Sequence, residues 1–459
     1  MRRADTSLWR RILQGMTAFS ADTLISNLAA VLSAALVFRY LDVSAYGRLT
    51  LALSFYTSAT IFLDFGLGSV CTAEVARARG GGNLGWAKFL LTSYLWLNVI
   101  TGCGGLMVFL LVGYGWRDPL WTVMGFYLLT TALNGVISVL FHSYTRYRRL
   151  AAQSIIRSLS RLLLLALLPL WWRGEALLGV AWTYPLMDVI ALLMAAWLVR
   201  RALRDLRDVR VEGYSLASLG VLFRQQGIYA TLSVPVKRIA DQLPVWFLKA
   251  LVGDTGVGIY GAAQKGFSLL YAFFSALETT IFPLVSEQIE VDRERLRIAL
   301  RHMQKYTFWL GLVVAVLGGL GAHWLILLVE GPKYLAAVPV FRLMLWQLVI
   351  YAFLQPQRPM FYALGLQKWL LALYLFNSLT QAVVLPMAIS AMGIIGTAWA
   401  LLFYAALSAV TRMLTLRRLD PWTFIDPRSV FVIDGFDRRL WHTLQAWLMR
   451  RSRDGGVSE

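Results

Sequence analysis

The stretch VPVKRIADQLP, residues 234–244, sets Lys237 four positions before Asp241 and Arg238 three before it. On one helix that spacing turns two cations toward a single carboxylate and leaves a positive charge over. Charged groups inside an apolar run are costly and point to function. The chemistry such a cluster offers is anion binding, with Arg238 the expected principal ligand and Lys237 the less directional one. Prolines 235 and 244 flank it, the mark of a broken helix. Lys265 and Arg39, which also stand in or at the edge of apolar runs, are expected to extend the same cationic surface.

Two carboxylates stand apart from these cations. Asp64 and Glu278 each lie 18 residues after a Tyr-Gly pair, Tyr46-Gly47 and Tyr260-Gly261. With Asp241 they are the candidates for binding a coupling ion, proton or sodium. Asp22 and Asp188 are weaker candidates. Catalysis and a resident cofactor are not expected: the four histidines are scattered, no Asp-x-Asp pair occurs, and no metal-ligand spacing is present. Cys71 and Cys103 fall in or beside apolar runs, away from a structural disulfide.

The elements that must position these residues are membrane helices. Hydrophobic residues make up 58% of the 459 and charged residues 15%, far from soluble proportions. Continuous apolar runs of bilayer-spanning length recur, which excludes a β-barrel. Twelve spans are expected near 20–38, 48–70, 89–112, 120–141, 155–172, 177–199, 219–251, 258–284, 306–329, 335–355, 367–387 and 393–416. The net charge of +19 comes mostly from Lys and Arg in the tails and alternate loops, including 142–161 and 200–216. That is the positive-inside pattern; it places both termini in the cytoplasm and makes nucleic acid an unnecessary partner.

The chain also repeats itself. GVAW at 179–182 and the Arg200-Arg201 pair recur as GTAW at 396–399 and Arg417-Arg418, an offset of 217 residues. The Tyr-Gly pairs recur at an offset of 214. The expected organisation is therefore two six-helix parallel repeats: a lobe over 1–199, a cytoplasmic linker at 200–216, a second lobe over 217–418 and a basic tail over 419–459. Leu8, Trp9, Ile12, Leu13 and Met16 share one helical face, as do Phe436, Leu440, Leu444, Trp447 and Leu448. Both ends are expected to lie on the anionic inner leaflet.

Four blocks carry a family resemblance. Residues 37–77, VFRYLDVSAYGRLTLALSFYTSATIFLDFGLGSVCTAEVAR, and 251–288, LVGDTGVGIYGAAQKGFSLLYAFFSALETTIFPLVSEQ, resemble the first two blocks of the polysaccharide-transport (O-antigen) flippases. GPKYLAAVPVFRLML at 331–345 and GIIGTAW at 393–399 are similar to two later ones. The chain departs from that pattern at the paired Lys237-Arg238, and it has twelve expected spans where relatives can have fourteen. The superfamily also holds multidrug-and-toxin exporters and the lipid II flippase. The resemblance implies a two-lobed bundle in the cytoplasmic membrane around a cationic cavity, with a polyprenyl-pyrophosphate-linked oligosaccharide as substrate. A polysaccharide polymerase and export machinery would be its partners. The competing readings are a drug exporter, which would favour an acidic cavity, and a glycan-assembly enzyme, which would need a larger extramembrane loop.

Overall fold

In the computed structural model the described residues are 25–432, 435 and 437, except 65, 66, 145, 146, 200–227, 292, 356, 358, 359, 362, 363, 423 and scattered side chains. Among them there is no β-strand. The first half holds α1 (25–40), α2 (Val43–Ala59), α3 (Ile61–Asp64), α4 (Leu67–Gly80), α5 (Leu84–Trp116), α6 (Pro119–Ser143), α7 (Tyr147–Ala166), α8 (Leu168–Trp171) and α9 (Ala176–Val199). The second holds α10 (Ile228–Ala240), α11 (Leu243–Leu251), α12 (Asp254–Val291), α13 (Arg293–Val329), a 3-10 turn at Pro332–Ala337, α14 (Val338–Leu354), α15 (Gln367–Met392) and α16 (Ile394–Leu419). Seven described helices are long and apolar enough to cross a bilayer, among them α5 and α6. The protein is an all-helical, multi-pass membrane protein of about twelve crossings.

Local chemistry explains the breaks. Asp42 accepts from Ala45 N at 2.9 Å and caps α2; Asn83 caps α5 in the same way through Trp86 N. Asp118 caps α6 and its Oδ2 also takes Arg48 Nη2 at 3.0 Å. The long apolar stretch 219–251 breaks at one of its two prolines, with Asp241 and Gln242 in the turn between α10 and α11 and Pro244 in the first turn of α11, while Pro235 lies inside α10 without ending it. Two expectations need correction. The stretch 48–70 is not one helix, for α2 ends at Ala59 and α3 at Asp64. The stretch 142–161 is not a loop throughout: α7 begins at Tyr147 and carries Arg157 and Arg161 into the first half. The linker 200–216, Asp22 and both amphipathic stripes lie outside the described residues.

Two apolar clusters in the first half, around Met124 and Leu128 and around Val75 and Phe141, are distinct from the core of the second half around Tyr260, Phe341 and Leu348. Ala34 and Phe38 of α1 cross over to pack in the second half's core. The halves meet chiefly where α2 lies along α12. Close approach there depends on glycine: a Cβ on Gly47 would sit 1.9 Å from Asp254 O, and one on Gly258 would sit 1.9 Å from Val43 O. Tyr334 OH donates to Leu41 O at 3.2 Å, and Trp246 Nε1 donates to Ser54 Oγ at 2.9 Å. At the opposite end, residues after α16 fold back on α13: Trp309 Nε1 donates to Val430 O at 3.1 Å, Lys305 pairs with Asp437, and Tyr306 OH donates to Asp437 Oδ1 at 2.5 Å.

Candidate functional site

Farther along α12 a cation of each half comes within electrostatic reach of the other. On α12 the seam glycines 258 and 261 and Lys265 follow at helical spacing, so Lys265 shares the face turned to the first half. Across from it stands Arg161 of α7, within electrostatic reach of Lys265. The Arg161 guanidinium lies 4.0 Å over the Tyr184 ring, and its buried Nε has no hydrogen-bond partner. Neither cation makes an ion pair with a carboxylate among the described residues. The two halves therefore bring together two like charges, neither paired with a carboxylate among the described residues.

Arg161 sits at the edge of a polar network that the sequence did not reveal. Asp188 of α9 is fully buried; its Oδ1 faces Arg157 Nε at 2.5 Å and its Oδ2 accepts from Thr131 Oγ1 at 2.9 Å. Thr131 Oγ1 is also 2.8 Å from Tyr56 OH, and Tyr56 stacks on Tyr127 at 4.0 Å. Gln153 Nε2 donates to Asn134 Oδ1 at 2.8 Å, and Asn134 Nδ2 to Asp188 O at 3.2 Å. Asp188 was a weak candidate in the sequence because its partner stands 31 residues earlier, in a stretch that reads as a loop. The usable signal was the helical spacing of Gln153, Arg157 and Arg161, which puts all three on one face.

The cluster at 234–244 divides. Lys237 Nζ pairs with Asp241 Oδ2 at 2.6 Å, and both line a cavity of about 330 Å³ inside the second half. Arg238, expected to be the main ligand, is exposed and lines neither this cavity nor an ion pair among the described residues. The reason is angular: adjacent residues on a helix point about 100° apart, so α10 can turn only one of the pair to Asp241. The rest of the cavity is tyrosine and amide, with Gln264, Gln347, Tyr351, Gln381 and Tyr404 in the wall and Arg412 at 5.6 Å over Tyr374. Arg39 is exposed at the outer end of α1. Asp64 closes α3 and Glu278 lies in α12, but their side chains are outside the described set.

One further carboxylate belongs to the seam. Glu330, in the turn after α13, is buried, its Oε2 has no partner, and it lies within electrostatic reach of Tyr46 and Tyr334. Burial pushes its carboxyl from 4.5 up to about 8.

Solved structures share this architecture. An inward-facing multidrug resistance MATE family transporter of the MOP superfamily is 17% identical, covers 89% of this chain and 98% of its own, and gives a TM-score of 0.74. The lipid II flippase MurJ, in an inward closed conformation, is 13% identical over 88% of each chain at a TM-score of 0.62. A MOP superfamily transporter from Pyrococcus furiosus, described by the reverse polarity of its binding pocket, is 17% identical, covering 91% of this chain and 95% of its own, at 0.62. No curated protein matches the sequence. The MatE family model matches residues 240–387. These families and neighbours are transporters and flippases, not enzymes. The model described as polysaccharide biosynthesis protein matches residues 12–289, more than half of the 459, and the chain belongs to that family.

Proposed function

We propose that this transporter is a flippase carrying polyprenyl-pyrophosphate-linked oligosaccharide across the cytoplasmic membrane for surface-polysaccharide assembly, O-antigen or exopolysaccharide. The observation that carries the reading is the pair Arg161 and Lys265, one from each half, within electrostatic reach of each other and without a carboxylate partner among the described residues. Like charges repel, and a dianionic group between them removes that repulsion. A pyrophosphate crossing bare hydrocarbon meets a Born cost of order tens of kcal/mol. Charge-assisted hydrogen bonds from an arginine and a lysine offset much of it. The prenyl tail needs no passage, since it can stay in the lipid while the head crosses.

A lipophilic drug cation would be repelled by the same pair. The seam that closes the halves against each other at one end suits one step of alternating access. Both termini are proposed to lie in the cytoplasm, with a polymerase receiving the product. Asp64, Glu278 and Asp241 remain the proposed groups for a coupling proton or sodium ion. The test is flipping in proteoliposomes of lipid-linked oligosaccharide extracted from a host strain lacking this transporter. Arg161→Gln and Lys265→Gln should each slow it by roughly tenfold or more, the loss of one charge-assisted bond. Undiminished flipping in both variants, or export of a cationic dye with no transport of the lipid, would sink the reading.

A further inference from the structure

Resting on that reading, we propose that the cavity behind α12 is a saccharide subsite, which holds a neutral sugar of the head group while Arg161 and Lys265 hold its pyrophosphate. The two places share a helix. Tyr260, Gln264, Phe267, Ser268 and Tyr271 turn one face of α12 into the cavity, and Lys265, next to Gln264, turns toward the first half.

The wall is built for hydroxyl groups. Gln347, Gln355 and Gln381 are each at most 4% exposed, line the cavity, and have an amide Oε1 with no hydrogen-bond partner. Gln347 Nε2 is held by Tyr351 OH at 2.8 Å, which fixes the amide and leaves its oxygen free. Tyr374 OH and Arg412 Nε, also in the wall, are buried and unpartnered. Buried polar atoms are satisfied in native proteins, so five without partners around one cavity call for a guest that supplies donors and acceptors together. A sugar does so through every hydroxyl.

Charge selects against the other guests. Asp241 is already paired with Lys237, so among the described residues of the wall no carboxylate is free to attract an organic cation, and Arg412 with its charge over Tyr374 leaves one net positive charge there. Tyrosine rings, among them Tyr271 and Tyr351 at 5.5 Å, offer apolar faces to the C–H side of a pyranose. At about 330 Å³ the cavity lies at the small end of ligand pockets and suits a single sugar residue rather than a whole oligosaccharide.

The experiment compares two lipids on the full-length protein in nanodiscs by native mass spectrometry. One is undecaprenyl pyrophosphate; the other is the extracted lipid-linked oligosaccharide. Wild type should prefer the second. Gln347→Met and Gln381→Met, near in volume, should each cut that preference roughly two- to tenfold, the worth of one hydrogen bond, and leave undecaprenyl pyrophosphate binding unchanged. Ser268→Phe, at an exposed residue on the cavity wall, should abolish the preference without touching the amides.

An equal fall for both lipids would make the glutamines structural, and no change would make the cavity irrelevant; either overturns the subsite. If the variants instead lose a sodium-induced stabilisation while keeping the preference, the amide oxygens hold an alkali cation and the subsite is wrong. Wild type that binds undecaprenyl pyrophosphate without preferring the glycosylated lipid removes the subsite but spares the flippase reading. Wild type that binds neither lipid removes both.

Discussion

Gly47 of α2 lies directly against the backbone of Asp254 on α12, so close that a methyl group there would overlap the Asp254 carbonyl oxygen at 1.9 Å. Backbone cannot step aside as a side chain can. Gly47→Val should therefore wedge the seam open rather than strain one rotamer; overpacking of this kind costs about 1–3 kcal/mol. Spin labels at Arg117→Cys and Lys333→Cys, exposed loop positions in the two halves, report the seam by pulsed EPR distance. The expected result is a longer distance in Gly47→Val and in Gly258→Val, and an unchanged one in Gly104→Val, where a Cβ meets nothing within 4 Å.

The same label pair reads the effect of pH. Glu330 is buried in the seam with its carboxyl raised from 4.5 to about 8, facing the phenols of Tyr46 and Tyr334. The closed seam holds a proton that an open, hydrated seam releases, so closure binds protons. Its favourable contribution is full below about pH 4.5, declines as pH rises, and is gone above about 8. Raising pH across that window should shift the distance distribution toward the open seam. Glu330→Gln should stay closed throughout; a variant that opens with pH as wild type does would rule this carboxylate out.

Asp188 carries the opposite risk, since it is buried with a partner. Asp188→Asn leaves the Arg157 guanidinium facing a neutral amide and unties Thr131. Removing one member of a buried pair costs about 3–5 kcal/mol. Arg157 keeps about a third of its side-chain surface, so the lower end of that range is expected. Thermal unfolding in detergent measures it, and an Asp188→Leu, Arg157→Leu double variant should recover part of the loss. A fall in Asp188→Asn under about 0.5 kcal/mol would show that the network does not hold the first half together.

At the 234–244 cluster the structure reverses the order expected from residue type alone. Lys237→Ala strands Asp241 in the cavity wall and should impair binding of the lipid-linked oligosaccharide; Arg238→Ala removes an exposed side chain and should leave it near wild type. Retained binding in the first with loss in the second would restore the original order.

For Asp64 and Glu278 the prediction is about gradients. With an imposed proton or sodium gradient across sealed vesicles, Asp64→Asn and Glu278→Gln should still bind substrate but lose the response to the gradient. Undiminished gradient dependence in both would place coupling elsewhere.

Composition, charge placement and periodicity decided a great deal. A membrane offers only helices and closed barrels to a chain this apolar, so continuous runs sufficed for an all-α bundle. Pro244 marked the break in 219–251, because proline suits the first turn of a helix and not its middle, while Pro235 stayed inside α10. Four motif blocks led to the family. What the one-dimensional chain could not hold were relationships across helices. Arg157 reads as a loop charge until α7 is packed on α9 and brings it to Asp188. Lys265 reads as a snorkelling lysine until Arg161 is found opposite. Lys237 and Arg238 are neighbours of one charge, and only the rotation of α10 within the bundle turns the first into the cavity and the second out of it. Rotation about a helix axis is set by side chains from distant segments, so it is decided only when the halves pack.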